Sequence, residues 1–196
     1  VRRQRQMCIR DRAKTYETAG VSAISVLTDP VFFNGTIHDL TAVAQVVDVP
    51  VLCKDFIIDE QQIVRAKQAG ASLILLIVAT LPKVRLKELH EYATELGLEV
   101  LVETHDAQEL ATAKEIGATI IGVNNRNLKT FQVSIQTSID LSQPEGRCIY
   151  ISESGFKTAQ DVEKISQNYQ GILVGETLMR AGNVEEKVKE MQVSRR

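Results

Sequence analysis

Apolar and polar positions alternate between two patterns from residue 13 to the end of the chain. Short runs rich in β-branched residues are each followed by a loop and then by a stretch with apolar residues at helical spacing. The runs predict seven strands, over residues 22–27, 50–56, 72–79, 99–103, 119–124, 148–154 and 171–175. The stretches predict helices over 13–20, 39–47, 59–70, 83–97, 106–117, 158–167 and 184–191.

The predicted strands are continuous apolar runs, which is typical of parallel strands that helices cover on both faces. Strand starts roughly 20 to 30 residues apart fit repeated βα units. A TIM barrel needs eight strands and about 250 residues, whereas this sequence has seven predicted strands in 196 residues. The sequence therefore predicts an α/β parallel TIM barrel that lacks the first strand and the N-terminal helix. The competing fold is an open doubly wound sheet, but its Gly-rich fingerprint is absent.

The first twelve residues differ from the rest of the chain. They carry five arginines without apolar periodicity, and no apolar segment follows them as in a signal peptide. One interpretation is a basic arm that binds nucleic acid, and the other is a disordered tail or a foreign segment. The second is favoured, because nothing downstream points to nucleic acid. We predict a non-matching segment over 1–12 and one partial TIM-barrel domain over 13–196.

Composition and charge exclude several classes of function. The chain is 44% hydrophobic and 24% charged with a net charge of −2, so neither nucleic acid nor a membrane is an expected partner. The longest apolar run, residues 73–81, is too short to span a bilayer. Three dispersed cysteines give no metal-binding spacing and predict a reduced, cytoplasmic protein.

Polar residues follow the apolar runs at the strand ends, where active sites of parallel βα barrels lie. Side-chain alternation places Lys54, Glu103 and Asn124 last on one face of their strands. The same counting puts Tyr150, Ser152 and Ser154 on one face of the sixth predicted strand. If these faces point inward, Lys54, Glu103, Asn124 and Ser154 converge at one mouth. A lysine and a carboxylate there can act as acid and base, whereas separately each could be a solvated strand end.

A phosphate site is predicted after the last two strands, where Ser154, Gly155, Gly175 and Glu176 occur. Loop N–H groups bind phosphate at this position in such barrels. The alternative is that the glycines only form tight turns. Glu176 would repel an anion, so only its backbone is assigned a role.

Two further polar features lie near the predicted strand ends. Arg126, within the Asn-rich run 124–127, could pair with a carboxylate, or the run could be a turn-forming loop. His105 could approach the mouth without contacting substrate, whereas His38 and His90 show no metal spacing.

These residues resemble a known family. Seven ordered segments, SAISVLTDPVFFNG, PVLCKDFIID, LILLIVA, LGLEVLVETHD, IIGVNNRNLKTF, ISESGFKT and LVGETLMR, are similar to successive signature segments of indole-3-glycerol-phosphate synthase. The resemblance runs from about residue 13 to the C-terminus. Phosphoribosylanthranilate isomerase, a related barrel, shares the phosphate end but not the KDFIID and NNRNLKTF segments.

The resemblance implies a carbon–carbon carboxy-lyase of tryptophan biosynthesis. It converts 1-(2-carboxyphenylamino)-1-deoxyribulose 5-phosphate, a small phosphorylated substrate, to indole-3-glycerol phosphate with loss of CO2 and water. The resemblance implies that Lys54 is the general acid for ring closure and Glu103 the acid/base partner for dehydration. The implied roles of the other site residues are substrate contacts for Asn124 and Arg126, an aromatic wall for Phe33 and Phe56, and phosphate contacts for Ser154, Gly155, Gly175 and Glu176. No cofactor or metal is implied, and a monomer or an association with other tryptophan-pathway enzymes is expected.

One segment departs from the family pattern. The family carries an EIKxxSPS-like first strand, with a substrate-binding Lys and a catalytic Glu, ahead of the helix that matches residues 13–20. Residues 1–12 do not match it. The expectation is therefore an active parent synthase, with this chain inactive as written. The alternative of a different class is a barrel remnant that only binds phosphorylated ligands.

Overall fold

A computed structural model describes residues 2–141 and 148–193, and within them it contains seven strands alternating with helices. The strands are β1 (Ile24–Leu27), β2 (Val51–Lys54), β3 (Leu73–Ile77), β4 (Glu99–Thr104), β5 (Ile120–Asn124), β6 (Ile149–Glu153) and β7 (Gly171–Leu173). All seven predicted strands are present, most of them one to three residues shorter than the apolar runs.

The helices are α1 (Arg2–Thr18), α2 (Ile37–Ala44), α3 (Glu60–Gln68), α4 (Lys83–Glu95), α5 (Ala107–Glu115), α6 (Gln136–Asp140), α7 (Ala159–Glu163), α8 (Glu176–Arg180) and α9 (Val184–Met191). A 3₁₀ turn occupies Val78–Thr80. Helices α6 and α8 were not predicted from the sequence.

Helix α3 shows how local sequence sets the helix ends. The Asp59 side chain accepts a hydrogen bond from the first turn and forms a capping box with Gln62, which satisfies N–H groups that a helix start leaves unpaired. At the other end Gly70 has φ +97°, a left-handed conformation that favours glycine. A Cβ added to Gly70 would lie 2.7 Å from the Cβ of Ala44.

Helix α1 begins eleven residues before the predicted helix 13–20, so the boundary predicted after residue 12 falls inside it. The sequence pattern did not indicate helix over residues 2–12, because these residues have no regular apolar spacing. Arginine and glutamine nevertheless favour helix intrinsically, which accounts for the extension. The assignment of residues 1–12 to a foreign segment stays a prediction.

The strand order follows the chain from β1 to β7, and the β1–β2, β2–β3, β4–β5, β5–β6 and β6–β7 pairs are parallel. Seven parallel strands in chain order, alternating with helices, confirm the predicted α/β fold class. The chain divides into two compact units, residues 1–76 with 87–100 and residues 77–86 with 101–196. The first contains β1, β2 and most of β3, and the second contains most of β4 and all of β5 to β7.

Each unit has an apolar core between its strands and helices. In the first, Ile74 and Leu75 of β3 are fully buried together with Leu40 of α2 and Ile63 of α3. In the second, Val102, Ile121 and Val123 are fully buried on β4 and β5. Among the residues that the structure describes, no helix is both long and apolar enough to cross a membrane.

Candidate active site

The clearest polar pair in the second unit lies at the carboxyl ends of β4 and β5. Asn124 Nδ2 donates a hydrogen bond of 3.0 Å to Oε1 of Glu103. Both residues are buried, with 2% of Glu103 and 8% of Asn124 exposed. A carboxylate in such surroundings interacts strongly with any charge or proton donor nearby, because little water screens it. The structure therefore brings together two of the residues that the alternation predicted to share a face.

The loop after β5 is hydrogen-bonded to the Asn124 side-chain amide. The backbone N–H of Arg126 donates to Asn124 Oδ1 at 3.0 Å, so one amide orients both Glu103 and the loop. Arg126 is half-buried and forms an isolated antiparallel bridge with Val133. The Asn-rich run is thus a structured turn as well as a source of polar groups.

His105, directly after β4, lies between two carboxylates. Its Nε2 is 3.2 Å from Glu103 Oε1, and its Nδ1 is 3.0 Å from Glu109 Oε2 on α5. The first contact meets the distance of an ion pair but not the geometry of a hydrogen bond, so its attraction is mainly electrostatic. Burial lowers the pKa of His105, but the attraction of the ring to Glu103 and Glu109 outweighs burial and raises that pKa to about 9.

Glu153, the last residue of β6, was not predicted from the sequence. In the parallel register Asn124 pairs with Glu153, so their side chains lie on the same face. Glu153 is 1% exposed, and a Cβ added to Gly122 would lie 2.1 Å from its Oε1. A glycine inside a strand marks a site where another group approaches closely, and this was the available signal.

The prediction that Tyr150, Ser152 and Ser154 share the site face of β6 is wrong. Ser152 Oγ contacts Ser138 Oγ of α6 at 2.5 Å, and the rings of Tyr150 and Tyr169 lie 6.4 Å apart. Both side chains therefore face the helical side, and Glu153 takes the opposite face. Ser154 lies beyond the strand in a left-handed conformation, with φ 68°, so strand alternation does not apply to it.

We expect Gly122→Ala to destabilise the protein and displace the Glu153 carboxylate. The added methyl group overlaps Oε1, and overpacking a buried site typically costs about 1–3 kcal/mol. Urea denaturation measures the loss. Gly182→Ala is the matched control, since nothing lies within 4 Å of a Cβ added there. Equal stabilities for the two variants would show that the Gly122–Glu153 contact does not constrain the site.

Asn125 holds the loop that begins at Ser154. Its Nδ2 donates to Ser152 Oγ and to the Ser154 carbonyl, each at 3.0 Å. Its Oδ1 accepts from the backbone N–H and hydroxyl of Ser138. Gly155, which follows Ser154, has φ +90°, and a Cβ added to it would lie 2.8 Å from Val133 Cγ1. Buried hydrogen bonds and a glycine-only conformation thus fix the backbone predicted to bind phosphate.

The other part of the predicted phosphate site follows β7. Gly175 precedes α8 and is exposed, with nothing within 4 Å of an added Cβ. Glu176, also exposed, directs its carboxylate to Arg180 at 2.9 Å. This ion pair offsets the negative charge that would oppose an anion, which suits the backbone-only role predicted for Glu176.

In the first unit, Lys54 is the last residue of β2 and is half-buried. The following Asp55 is not part of a solvated strand end, because it is 6% exposed. Its Oδ2 accepts from Thr28 Oγ1 at 2.7 Å, and its Oδ1 accepts from the Phe56 N–H at 2.8 Å. Asp55 therefore fixes the backbone on the C-terminal side of Lys54. Burial raises the pKa of the neighbouring Cys53 to about 11, so this thiol stays protonated and unreactive.

Phe33 and Phe56, to which an aromatic wall was assigned, belong to a cluster of three rings in the first unit. Phe33 stacks on Phe56 with centroids 5.0 Å apart and an interplanar angle of 11°. Phe32 meets Phe56 edge-on at 5.4 Å, and its side chain is 76% exposed. Stacked and edge-on rings provide the flat apolar surface on which another aromatic ring can pack.

Parallel strands in chain order, with acid–base side chains at their carboxyl ends, define an enzyme of the TIM-barrel class. A family model described as indole-3-glycerol phosphate synthase matches residues 3–191. The chain belongs to this family, as the seven sequence segments implied. The family's reaction is that of a decarboxylating lyase in tryptophan biosynthesis.

Curated relatives agree with the family model. The chain is 57% identical over 186 residues to indole-3-glycerol phosphate synthase of Streptococcus pneumoniae strain JJA, with 94% of this chain and 72% of the relative covered. The same enzyme of strain Hungary19A-6 is 56% identical over 185 residues, with the same coverage.

Solved structures share the fold at low sequence identity. The chain is similar to a 3-hexulose-6-phosphate synthase, with a TM-score of 0.75, 14% identity, and 95% and 92% of the two chains covered. It is also similar to thiamine phosphate pyrophosphorylase from Pyrococcus furiosus, with a TM-score of 0.71, 14% identity, and 93% and 86% covered. These similarities show the fold alone.

Proposed function

We propose that this protein forms indole-3-glycerol phosphate from 1-(2-carboxyphenylamino)-1-deoxyribulose 5-phosphate, and that Lys54, Glu103 and Asn124 carry the chemistry. Family membership supports the reaction. The observation that supports the residue roles best is the buried Glu103–Asn124 hydrogen bond at the ends of β4 and β5. A buried carboxylate with a fixed orientation is what proton transfer to and from a bound intermediate requires.

Ring closure is assigned to Lys54. The aromatic carbon that bears the carboxylate attacks the ketone carbon of the sugar chain, so a C–C bond forms as the carbonyl π bond breaks. Lys54 gives a proton to the carbonyl oxygen, which becomes a hydroxyl. The bond to the carboxylate then breaks, CO2 leaves, and its electron pair restores the aromatic ring. A half-buried ammonium group suits this step, because it both polarises the carbonyl and supplies the proton.

Dehydration is assigned to Glu103. Glu103 takes a proton from the neighbouring carbon that is attached to nitrogen, and the new hydroxyl group receives that proton from Glu103 and leaves as water. The electron pair of that C–H bond completes the pyrrole double bond. Asn124 keeps the Glu103 carboxylate oriented through its Nδ2 contact while the substrate hydroxyls are bound nearby. Only proton transfers are needed in this sequence.

Substrate binding is assigned to the remaining site residues. The aromatic wall of Phe33 and Phe56 would pack against the anthranilate ring, and Arg126 would contribute a cation to the site mouth. The backbone of Ser154, Gly155, Gly175 and Glu176 would receive the phosphate. The fixed loop conformation at Ser154 and Gly155 supports the last assignment, because preorganised N–H groups bind anions without further ordering.

We expect Gly155→Ala to raise KM for the phosphorylated substrate about tenfold, equivalent to roughly 1.4 kcal/mol. Alanine is disfavoured at φ +90°, and its Cβ would push Val133 and move the loop. Steady-state kinetics measure the effect. Gly117→Ala is the matched control, since Gly117 has φ +85° with nothing within 4 Å of an added Cβ. Similar KM values for both variants would remove Gly155 from the phosphate site.

The proposed function is tested by product analysis. The protein for these assays is the chain preceded by the family's first-strand segment, because the resemblance places a substrate-binding lysine in that segment. Chromatography should show indole-3-glycerol phosphate formed from the substrate in amounts that rise with enzyme concentration. Binding of the substrate without any product would favour a barrel that only binds phosphorylated ligands.

A further inference from the structure

Among the described residues, His105 is the only histidine whose ring contacts two carboxylates. Its side chain is 12% exposed, and those of Glu103 and Glu109 are 3% and 19% exposed. The His105 backbone N–H also donates to Glu109 Oε2 at 2.8 Å. Glu109 therefore holds both the ring and the backbone of His105, and the ring in turn contacts Glu103.

A carboxylate oxygen beside each ring nitrogen favours the imidazolium form. A neutral imidazole has one donor and one acceptor nitrogen, whereas an ionised carboxylate only accepts. Only the cation can present an N–H to both Glu103 and Glu109. The charged groups that contact the ring are Glu103 from β4 and Glu109 from α5. Near Glu103, Asn124 of β5 is neutral, and Glu153 of β6 is a second buried carboxylate on the same face of the sheet.

We propose that His105 is a positioning residue for the reaction, whose imidazolium keeps Glu103 ionised and fixed so that it can accept the proton during dehydration. This inference rests on the proposed function, because it takes the proton-accepting role of Glu103 from there. Glu109 completes the arrangement by holding the imidazolium from the other side.

Burial explains why Glu103 needs such a partner. Removing a carboxylate from water favours its protonated form, and a protonated Glu103 could not accept a proton from the substrate. A cation close to a carboxylate acts in the opposite direction. His105 Nε2 and Asn124 Nδ2 both contact the same oxygen, Oε1, so charge and orientation are controlled at one atom. The Asn124 amide supplies a hydrogen bond but no charge, and His105 supplies the charge.

The first arm of the experiment measures the dependence of kcat on pH. Removing the cation in His105→Gln should raise the pKa of Glu103, so the acidic limb of the profile should move upward by about one to three pH units. KM should change less than about threefold, since His105 does not contact the substrate. Glu109→Gln should move the limb in the same direction by less, because His105 remains. His90→Gln, a half-buried histidine on α4, should leave the profile unchanged and is the matched control.

The second arm observes the His105 ring directly by ¹⁵N NMR, with its signals assigned by their loss in His105→Gln. In the unsubstituted protein His105 should titrate near pH 9, and Glu103→Gln and Glu109→Gln should each lower that midpoint. This arm remains informative if His105→Gln does not fold or if no variant turns over. A protonated ring without any turnover would count against the proposed function and not against the arrangement around His105.

Two results would overturn the inference. One is a His105 ring that titrates near its ordinary value of about 6.5 in the unsubstituted protein. The other is an acidic limb of the His105→Gln profile that coincides with that of the unsubstituted enzyme, while product formation proceeds normally. Either would leave His105 as a residue that only contacts Glu109 at the start of α5.

Discussion

Lys54→Ala should lower kcat about 10²–10⁴-fold, the usual contribution of a general acid. Alanine removes both the proton donor and the positive charge that stabilises the developing oxyanion. Because ring closure precedes the loss of CO2, single-turnover experiments should show CO2 and indole-3-glycerol phosphate delayed equally. Stopped assays with a ¹⁴C-carboxylate substrate follow CO2 by its label, and the indole fluorescence of the same sample follows indole-3-glycerol phosphate.

Lys87→Ala is the matched control for this variant. Lys87 lies on the exposed surface of α4 and contacts Glu91 at 3.7 Å, an interaction of little energetic weight in water. We expect its kcat to be unchanged. A Lys54→Ala protein that folds and releases CO2 at the unsubstituted rate would show that Lys54 is not the proton donor for ring closure.

Glu103→Gln should also lower the steady-state rate about 10²–10⁴-fold, but at a different step. Glutamine keeps the size of the side chain and can still bond to Asn124, yet it cannot accept the proton during dehydration. CO2 should therefore appear near the unsubstituted rate in a single turnover, whereas indole-3-glycerol phosphate appears late. Lys54→Ala should delay both CO2 and indole-3-glycerol phosphate, whereas Glu103→Gln should delay only the second product. This difference separates the two assigned roles.

Glu115→Gln is the control for removing a carboxylate from the same unit. Glu115 is exposed on α5 and pairs with Lys83 at the surface, so its loss should not alter either product. If Glu103→Gln delays CO2 as much as the final product, Glu103 acts before decarboxylation and its assignment to dehydration is wrong.

The strands could be predicted from the sequence because parallel strands buried on both faces leave long apolar runs. The predicted ends of the strands were less accurate. The run 72–79 continues beyond β3 into the 3₁₀ turn Val78–Thr80, whose first two residues, Val78 and Ala79, are also apolar. Apolar content alone cannot distinguish a strand from a turn that packs on the same core.

Short helices could not be predicted, because five residues contain too little periodicity. Helix α6 is held by contacts from distant parts of the chain, such as the hydrogen bond from the Ser138 N–H to Asn125 Oδ1. Such interactions depend on the tertiary fold and leave no local pattern. Helix α8 likewise has no buried residue that would mark a core-facing side.

The candidate site was predictable where strand alternation holds to the last residue. Glu103 and Asn124 end their strands in regular geometry, and they meet as the counting implied. On β6 the count started from Ser154, whose left-handed φ of 68° places it outside the strand. This shift of one residue exchanged the two predicted faces of β6, so Glu153 was not predicted to lie on the site face. The contact between His105 and both carboxylates depends on the geometry where α5 starts, which a spacing rule does not provide.

The central claim is that the chain belongs to a ring-closing, decarboxylating synthase that uses Lys54 as its acid. The most direct test uses the chain preceded by the family's first-strand segment, with and without Lys54→Ala. It measures the stoichiometry of CO2 and indole-3-glycerol phosphate released from 1-(2-carboxyphenylamino)-1-deoxyribulose 5-phosphate. We expect equal amounts of the two products from the unsubstituted protein, and loss of both in the variant. Substrate binding without release of either product, or full release of both by Lys54→Ala, would contradict it.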